Sequence, residues 1–395
     1  MTEAKVGSRG ALNGRLLTPI DGPDDALRAS EGHLAGRSDV LVGWVSSIGA
    51  GRPERAKSTP PVLIPRHPLR ALRRGALALL DVERPFLAQL VVTRRCNLSC
   101  GYCNEYDDFS KPVPTDVVKA RIDHLAKLGT LVVTLTGGEP LLHPQLDELV
   151  AHAVSHGMVC TMISNGYAFT RRWIDRLNRA GLTLVQISID NLEPNEVSEK
   201  SLSKIQKRLV SLKDHARFGI NINAVLGSCS PDATRKLVGE VEQLGFFMTV
   251  GLLHDGQGQL DPGLAGTELP QLYREMRQRS RKSVFHHVGE GWEDAMIDSR
   301  EVPFRCRAGA RYLYVDEHGN VSYCSQRRSE PGIPLLDYTS RDLREAFETP
   351  KGCEASCTIA CVRRASALDE WRSQERPARP PNAGPLKRVT HLPVL

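Results

Sequence analysis

The sequence has no long apolar run. None of its hydrophobic stretches reaches the roughly 20 residues that a membrane-spanning helix needs, and the N-terminus shows no basic segment followed by an apolar one, so no secretory signal is expected. Net charge is only +6 over 395 residues. Much of that excess lies in arginine-rich ends, so the charge does not argue for nucleic acid, and no nucleic-acid partner is expected. We therefore expect a cytoplasmic protein with no membrane span.

Cysteine is the residue that stands out. The chain has ten cysteines, and all except Cys160 and Cys229 fall in two dense groups. In a reducing compartment, grouped thiols favour metal ligation over disulfides. The two isolated cysteines are expected to be small buried apolar residues.

The first group is Cys96, Cys100 and Cys103, spaced C-x3-C-x2-C directly after an apolar stretch, residues 86–93, that predicts a buried strand. Three thiolates on one short loop can each bind one iron of a cubane cluster. A [4Fe–4S] cluster normally takes four cysteines, so one iron would be open to a small molecule. A zinc knuckle is the alternative, although zinc sites usually pair cysteines as C-x2-4-C with further ligands elsewhere.

This loop, with Tyr102 just before its third cysteine, resembles the signature of the radical S-adenosylmethionine (SAM) superfamily. The resemblance implies that the open iron binds SAM. It also implies that an electron from the cluster yields a 5′-deoxyadenosyl radical, which abstracts hydrogen from substrate. A low-potential electron donor of the flavodoxin or ferredoxin type is then expected as a partner.

Six short apolar stretches alternate with helical patterns after residue 85, as in a parallel α/β sheet. The predicted strands are residues 86–93, 131–136, 158–163, 183–189, 219–225 and 246–253. Periodicity does not distinguish an open sheet from a barrel. The resemblance implies a partial (β/α)6 TIM-like barrel, in which ligand sites lie at the carboxyl ends of the strands.

Polar and glycine residues follow three of these strands. The resemblance assigns the motif after the second strand to the amino group of SAM, and the polar groups after the third and fourth to its ribose or carboxylate. The predicted SAM-binding residues are Tyr102, Gly137, Gly138, Glu139, Pro140, Ser164, Asn165, Ser188 and Asp190. Taken singly, the polar residues could equally be helix caps or turn residues.

The second cysteine group begins with Cys306 and Cys324, which bracket a predicted hairpin turning at residues 318–320. Cys353, Cys357 and Cys361 follow at four-residue steps. The pattern resembles the SPASM and twitch extensions of radical SAM enzymes and implies an auxiliary [4Fe–4S] cluster. Five cysteines leave one thiol to spare, and a zinc site is again the alternative.

These features divide the chain into four predicted parts. Residues 1–66 are rich in Gly, Pro and Arg and are expected to be disordered. Residues 67–300 are the expected radical SAM core with a lead-in helix, and residues 301–370 the cluster-binding extension. Residues 371–395 are a Pro- and Arg-rich tail.

The substrate is predicted by exclusion. The Gly-Gly tail of the molybdopterin-precursor cyclases is missing, and residues 1–80 lack the elements of a leader-peptide-binding module. We therefore expect a small-molecule or lipid-linked substrate in preference to a peptide, with a SPASM-type peptide maturase as the alternative. A non-enzymatic iron–sulfur carrier or redox sensor, and a zinc-binding interaction module, are alternatives of other classes.

Overall fold

The computed structural model describes residues 65–254, 258–260, 268–280, 292–297, 304–355 and 357–370. The predicted disordered region lies outside these residues except for positions 65 and 66. The predicted tail, residues 371–395, lies outside them as well.

Six parallel strands form the centre of the fold, and each coincides with a predicted one. They are β1 (Leu87–Thr93), β2 (Val132–Gly137), β3 (Val159–Ser164), β4 (Leu184–Ser188), β5 (Gly219–Leu226) and β6 (Met248–Leu252). Each strand pairs in parallel with the next along the chain. The sheet order places β6 at one edge and does not pair it with β1. This arrangement confirms the predicted partial six-stranded barrel.

Helices connect the strands and cover one face of the sheet. They are α1 (Pro68–Leu80), α2 (Thr115–Lys127), α3 (Leu146–Ser155), α4 (Arg171–Ala180), α5 (Leu202–His215) and α6 (Pro231–Gln243). Local sequence sets several boundaries. Thr170 caps α4 by accepting a hydrogen bond from the Trp173 amide, and Gly181 ends that helix in the left-handed conformation at φ 89°.

The C-terminal part of the chain continues the same sheet. After α7 (Leu269–Ser280) and α8 (Trp292–Ile297) come β7 (Tyr312–Val315), β8 (Asn320–Ser322) and β9 (Pro331–Pro334), followed by α9 (Ser340–Glu348) and α10 (Ala360–Ala367). The predicted hairpin is confirmed as the antiparallel pair β7–β8. Sequence reasoning missed that β7 also pairs with β1, in parallel. The extension is therefore built directly onto the first barrel strand.

Successive side chains of β1 and β7 point to opposite faces of the sheet, and each face contributes to a different apolar core. Leu90 and Leu313 point into the large core between sheet and helices. Val91, Tyr312 and Tyr314 point to the other face, where they pack with four cysteines of the second group. These four cysteines are Cys306, Cys324, Cys357 and Cys361. The second cysteine group thus lies on the inner face of the barrel sheet.

Helix α1 lies against the ends of two other helices. The Arg74 guanidinium donates hydrogen bonds to the carbonyls of Ala126 in the last turn of α2, of Thr130 after α2, and of His156 after α3. Leu69, Leu72 and Leu80 of α1 remain exposed. None of the described helices is both long and apolar enough to cross a membrane.

Candidate active site

The loop that carries the first three cysteines leaves β1 and is closed by a returning segment. The Cys96 amide donates to the carbonyl of Asp107 at 2.8 Å, and the Asp107 amide donates to the carbonyl of Arg94 at 3.0 Å. The Cys103 amide donates a hydrogen bond to the Cys100 carbonyl at 3.1 Å, which closes a tight turn. The three thiols are therefore presented from one backbone turn at the carboxyl end of β1.

Two glycines let the end of β2 lie directly against this loop. A Cβ on Gly137, whose φ is +143°, would lie 1.9 Å from the Thr93 carbonyl oxygen. A Cβ on Gly138 would lie 2.3 Å from the Arg94 carbonyl oxygen. Both distances are far inside van der Waals contact, so larger residues are excluded here. In this structure the close neighbour of the glycines is the backbone of the cysteine loop.

Glu139 ties the end of β2 to the end of β3. Its carboxylate is fully buried. One oxygen accepts hydrogen bonds from the Ser164 hydroxyl at 2.8 Å and the Leu141 amide at 3.1 Å, and the other accepts from the Asn165 amide at 2.7 Å. Burial outweighs these donors and raises the pKa of Glu139 to about 7. The predicted residues Glu139, Ser164 and Asn165 therefore form one connected unit.

Asn165 extends that unit to the first cysteine. Its Nδ2 donates to Oδ1 of Asn97 at 2.8 Å and lies 3.6 Å from the Cys96 sulfur. Pro140, also predicted, is buried and opens a short 3₁₀ turn after Glu139. Ser188 lies at the end of β4, in register with Asn223.

Tyr102 of the cysteine loop is hydrogen-bonded to Asp190, which follows β4. The Tyr102 hydroxyl donates to Oδ2 of Asp190 at 2.8 Å, and the Lys200 ammonium donates to the Tyr102 oxygen at 2.7 Å. Burial alone would lower the pKa of Lys200, but Tyr102 and Asp190 outweigh it and raise that pKa above its usual value. Asp190 is buried, and its other oxygen accepts from the Val225 amide at 2.9 Å. Its carboxylate thus anchors the loop to β4 and β5.

The segment 195–201, after β4, covers the middle cysteine. The Glu199 amide donates to the Cys100 sulfur at 3.3 Å, and its side chain accepts from the Ser99 amide at 3.0 Å. The Ser198 hydroxyl lies 2.7 Å from Oδ2 of Asp190 and 3.7 Å from the Cys100 sulfur. Sequence reasoning missed Ser198, Glu199 and Lys200, because nothing in a single sequence marks a loop residue that contacts a site about 100 positions away.

The thiols of the described residues do not form a compact zinc site. Four-coordinate zinc with Zn–S bonds of about 2.3 Å needs sulfurs roughly 3.8 Å apart. Across the described ranges, neither cysteine group brings three thiols within 4.8 Å of one another. The donors from Asn165 and Glu199 point at the sulfurs of Cys96 and Cys100, as donors that tune cluster sulfurs do. The residues present therefore fit an iron–sulfur cluster.

The second cysteine group lies beside the first. The Tyr314 hydroxyl donates to the half-buried carboxylate of Glu105, two residues after Cys103, at 2.7 Å. Asn104 Nδ2 donates to Oε1 of Gln326, two residues after Cys324, at 3.3 Å. The two groups are thus joined through short contacts between their flanking residues.

Burial favours the neutral form of Cys306, Cys324, Cys357 and Cys361 by raising the pKa of each thiol. It raises the pKa of Cys306 and of Cys357 to about 12, and that of Cys361 to about 11. These values indicate a buried, apolar pocket that would stabilise thiolates only once a metal neutralises them.

Comparison with protein families matches residues 90–227 to the Radical SAM superfamily. This part of the chain is similar to radical SAM domains. The match spans the cysteine loop, the glycine motif and β1 to β5. Members of this superfamily use a [4Fe–4S] cluster and SAM, so the predicted cofactor class is confirmed.

Two curated relatives illustrate the range of similar proteins. A PqqA peptide cyclase of Bradyrhizobium diazoefficiens is 38% identical over 112 residues, which are 28% of this chain and 30% of the relative. An AdoMet-dependent heme synthase of Methanosarcina barkeri is 25% identical over 303 residues, 67% of this chain and 82% of the relative. The chain therefore spans under a third of the length of the peptide cyclase that it matches.

A solved structure shares the fold. SuiB of Streptococcus suis, bound to its precursor peptide SuiA, superposes with a TM-score of 0.54 at 16% sequence identity and covers 78% of this chain and 79% of its own. The likeness confirms the partial barrel. The similar proteins therefore include one found by sequence, the PqqA peptide cyclase, and one found by fold, SuiB with its precursor peptide, whose names specify peptides.

The sequence-based preference for a small-molecule or lipid-linked substrate over a peptide is wrong. The relatives in question act on or bind peptides, as the PqqA peptide cyclase and the SuiB–SuiA complex show. The prediction failed because it relied on residues 1–80 lacking a recognisable leader-binding module, and most of those residues lie outside the described part of the chain.

Proposed function

We propose that this protein is a radical SAM enzyme that modifies a peptide substrate and carries one auxiliary iron–sulfur cluster. The observation that carries the enzyme proposal is the junction of the cysteine loop with three strand ends. Gly137 and Gly138 lie against the loop, Asn165 reaches Cys96, and Asp190 holds Tyr102. A protein that merely carries electrons would need the thiols but not this junction.

We assign Cys96, Cys100 and Cys103 as ligands of the first cluster, with the remaining iron open to SAM. When bound, the cluster and SAM would supply a 5′-deoxyadenosyl radical to the substrate. The role of this chain is to fix the loop and to cover the Cys100 sulfur with residues 198–199.

Six of the nine predicted SAM-binding residues take one of two roles under this proposal. The backbone of residues 137–140 and the side chain of Ser188 lie at the strand ends where SAM would contact the protein. Glu139 and Asp190 are positioning residues, because both carboxylates are buried and engaged by protein donors. They hold the strand ends and the cysteine loop in one arrangement.

The second cysteine group would hold the auxiliary cluster between the core, residues 67–300, and the extension, residues 301–370. Pairing of β7 with β1 supports this division into a core and an extension docked on it. The contacts from Asn104 to Gln326 and from Glu105 to Tyr314 would bring the auxiliary cluster near the first. Such clusters and their thiolates need a reducing compartment, which supports a cytoplasmic location.

The peptide assignment rests on the relatives. The PqqA peptide cyclase and SuiB both resemble this chain, one in sequence and the other in fold. We infer that the substrate is a peptide entering the barrel mouth beside the extension.

The enzyme proposal is tested by anaerobic reconstitution with iron and sulfide, followed by SAM and dithionite. We expect 5′-deoxyadenosine from the wild type and none from Cys100→Ala, which should keep the auxiliary cluster. A matched change in the second group, Cys357→Ala, should keep the electron paramagnetic resonance signal of the first cluster. Absence of 5′-deoxyadenosine from protein holding both clusters would instead support an electron carrier.

The peptide proposal is tested with short peptides encoded by genes next to this one. Mass spectrometry should detect a changed peptide mass that requires SAM and dithionite and is lost in Cys100→Ala. Production of 5′-deoxyadenosine that no such peptide stimulates, with a small molecule stimulating it instead, would reject the peptide while leaving the radical SAM activity intact.

A further inference from the structure

A second set of metal-binding side chains lies on the outside of the barrel. Asp123 of α2 faces His152 of α3 and His156, the residue that follows α3. Nε2 of His152 is 2.7 Å from Oδ1 of Asp123, and Nε2 of His156 is 2.6 Å from the same oxygen. Within the described residues, this is the group of three ligand side chains whose donor atoms all lie within 4.8 Å of one another.

The chemistry of the set suits zinc. Two imidazole nitrogens and one carboxylate oxygen are a common ligand set for Zn²⁺ with one position left for water. The histidines are four residues apart at the end of a helix, so their rings project from the same side. Their ring centroids are 5.1 Å apart, with the ring planes at 84°.

The present distances are those of hydrogen bonds and would change little on metal binding. Zn–N and Zn–O bonds of about 2.0–2.2 Å put tetrahedral ligands roughly 3.4 Å apart. The nitrogens and the carboxylate oxygen would therefore separate by less than about 1 Å. The side chains remain partly exposed, at 28% for His152, 35% for His156 and 42% for Asp123, which leaves access for a metal and a water ligand.

The electrostatics of the position also favour a cation. His152 and His156 lie in and just after the last turn of α3, where the helix dipole is negative. Burial acts to raise the pKa of Asp123, but hydrogen bonds from His152 and His156 outweigh it and hold that pKa below its usual value. The carboxylate is therefore ionised at neutral pH.

We propose that Asp123, His152 and His156 bind a zinc ion that joins α2 to α3. Helix α3 starts after β2 and ends just before β3, so its C-terminus lies at the edge of the sheet opposite the cysteine loop. The zinc would stabilise the outer layer of the barrel near the Arg74 contacts of α1 and would take no part in chemistry at the mouth.

The test uses full-length protein in which the cysteines are already occupied. The chain is loaded anaerobically with iron–sulfur clusters, mixed with zinc chloride, passed over a desalting column, and analysed for zinc by mass spectrometry. The wild type should retain one equivalent of zinc, and the His152→Asn/His156→Asn double variant none. The matched control is His215→Asn, which removes an exposed histidine at the end of α5 and should behave as the wild type.

Affinity and stability give independent readouts. A single change, His156→Asn, should weaken zinc binding by more than about 100-fold, because losing a residue that merely orients a ligand already costs about 10–100-fold. Zinc should raise the melting temperature of the wild type and of His215→Asn but not of the double variant. Retention of equal zinc by the wild type and the double variant, or by neither, would show that the three side chains form a hydrogen-bonded contact only.

Discussion

The Tyr102 hydroxyl donates a hydrogen bond to Asp190 across 88 positions of sequence, at 2.8 Å. This bond ties the cysteine loop to the carboxyl end of β4, and the Lys200 ammonium binds the same tyrosine oxygen at 2.7 Å. The position of the loop therefore depends on a buried polar network as well as on its own turns.

Tyr102→Phe should destabilise the protein, because it leaves the Asp190 carboxylate and the Lys200 ammonium each without one buried partner. A lost bond of this kind costs about 1–3 kcal/mol. Urea unfolding followed by circular dichroism would measure the change. Tyr106→Phe, on the same loop, should change the free energy of unfolding by less. Equal effects of the two variants would refute a special role for the Tyr102 contact.

Gly138→Ala should prevent assembly of the first cluster. The added Cβ would lie 2.3 Å from the Arg94 carbonyl and 2.4 Å from that of Arg95, so the loop backbone would have to move. Iron and sulfide content after anaerobic reconstitution should fall by the amount of one cluster per chain.

The control for that change is Gly239→Ala, within α6, where an added Cβ would meet nothing within 4 Å. It should leave cluster content unchanged and stabilise the helix by up to about 1 kcal/mol, since alanine is the better helix former. Normal cluster content in Gly138→Ala would contradict the steric argument.

Glu139 should make the protein less stable as pH rises. Its pKa is raised from 4.5 to about 7 by burial. Below pH 4.5 the carboxyl group is neutral in both states. Between pH 4.5 and 7 the unfolded chain ionises first, and above pH 7 the folded protein must bury the charge, so stability falls across this window. At about 1.4 kcal/mol per pKa unit, the loss is at most about 3 kcal/mol.

Measuring the free energy of unfolding from pH 4 to pH 8 for the wild type and for Glu139→Gln isolates this effect. The wild type should lose stability relative to the variant as pH increases, because glutamine does not titrate. A constant difference between the two proteins across that range would show that folding does not shift the pKa of Glu139.

The sequence predicted the alternating strands and helices of the barrel well, because short local patterns specify each of these elements. Apolar stretches such as 158–163 coincide with buried strands, and the local capping chemistry of Thr170 and Gly181 bounds α4. The cysteine and glycine motifs also coincide with the loop and strand end that meet. These local sequence motifs therefore locate the cysteine loop and the strand end that form the centre of the site.

The parts that sequence did not predict all depend on contacts between distant residues. Pairing of β7 with β1 joins residues more than 220 positions apart, and the hairpin sequence alone gives no partner for its outer edge. Lys200 is an ordinary lysine until folding places it beside Tyr102. The sequence motif predicted that Glu139 binds SAM, but it did not predict the three hydrogen bonds that its carboxylate accepts from Leu141, Ser164 and Asn165.

The last prediction concerns which of the five cysteines in the second group is not a ligand. Electrostatic interactions connect Cys306 with Cys353 and Cys357, and Cys324 with the same two thiols. Cys361, in α10, packs in the same cluster as Cys306, Cys324 and Cys357, but the hydroxyl of Tyr312 engages its thiol. We therefore expect Cys306, Cys324, Cys353 and Cys357 to bind the auxiliary cluster and Cys361 to be the spare thiol.

Cys361→Ala should then retain the iron of both clusters, whereas Cys357→Ala should lose that of the auxiliary cluster. Both residues belong to the same short segment and become the same small side chain, so differences in folding are minimised. Iron analysis and Mössbauer spectroscopy of reconstituted protein would distinguish the two. Loss of the auxiliary cluster in Cys361→Ala, with retention in Cys353→Ala, would reverse the assignment and place the ligand set around α10.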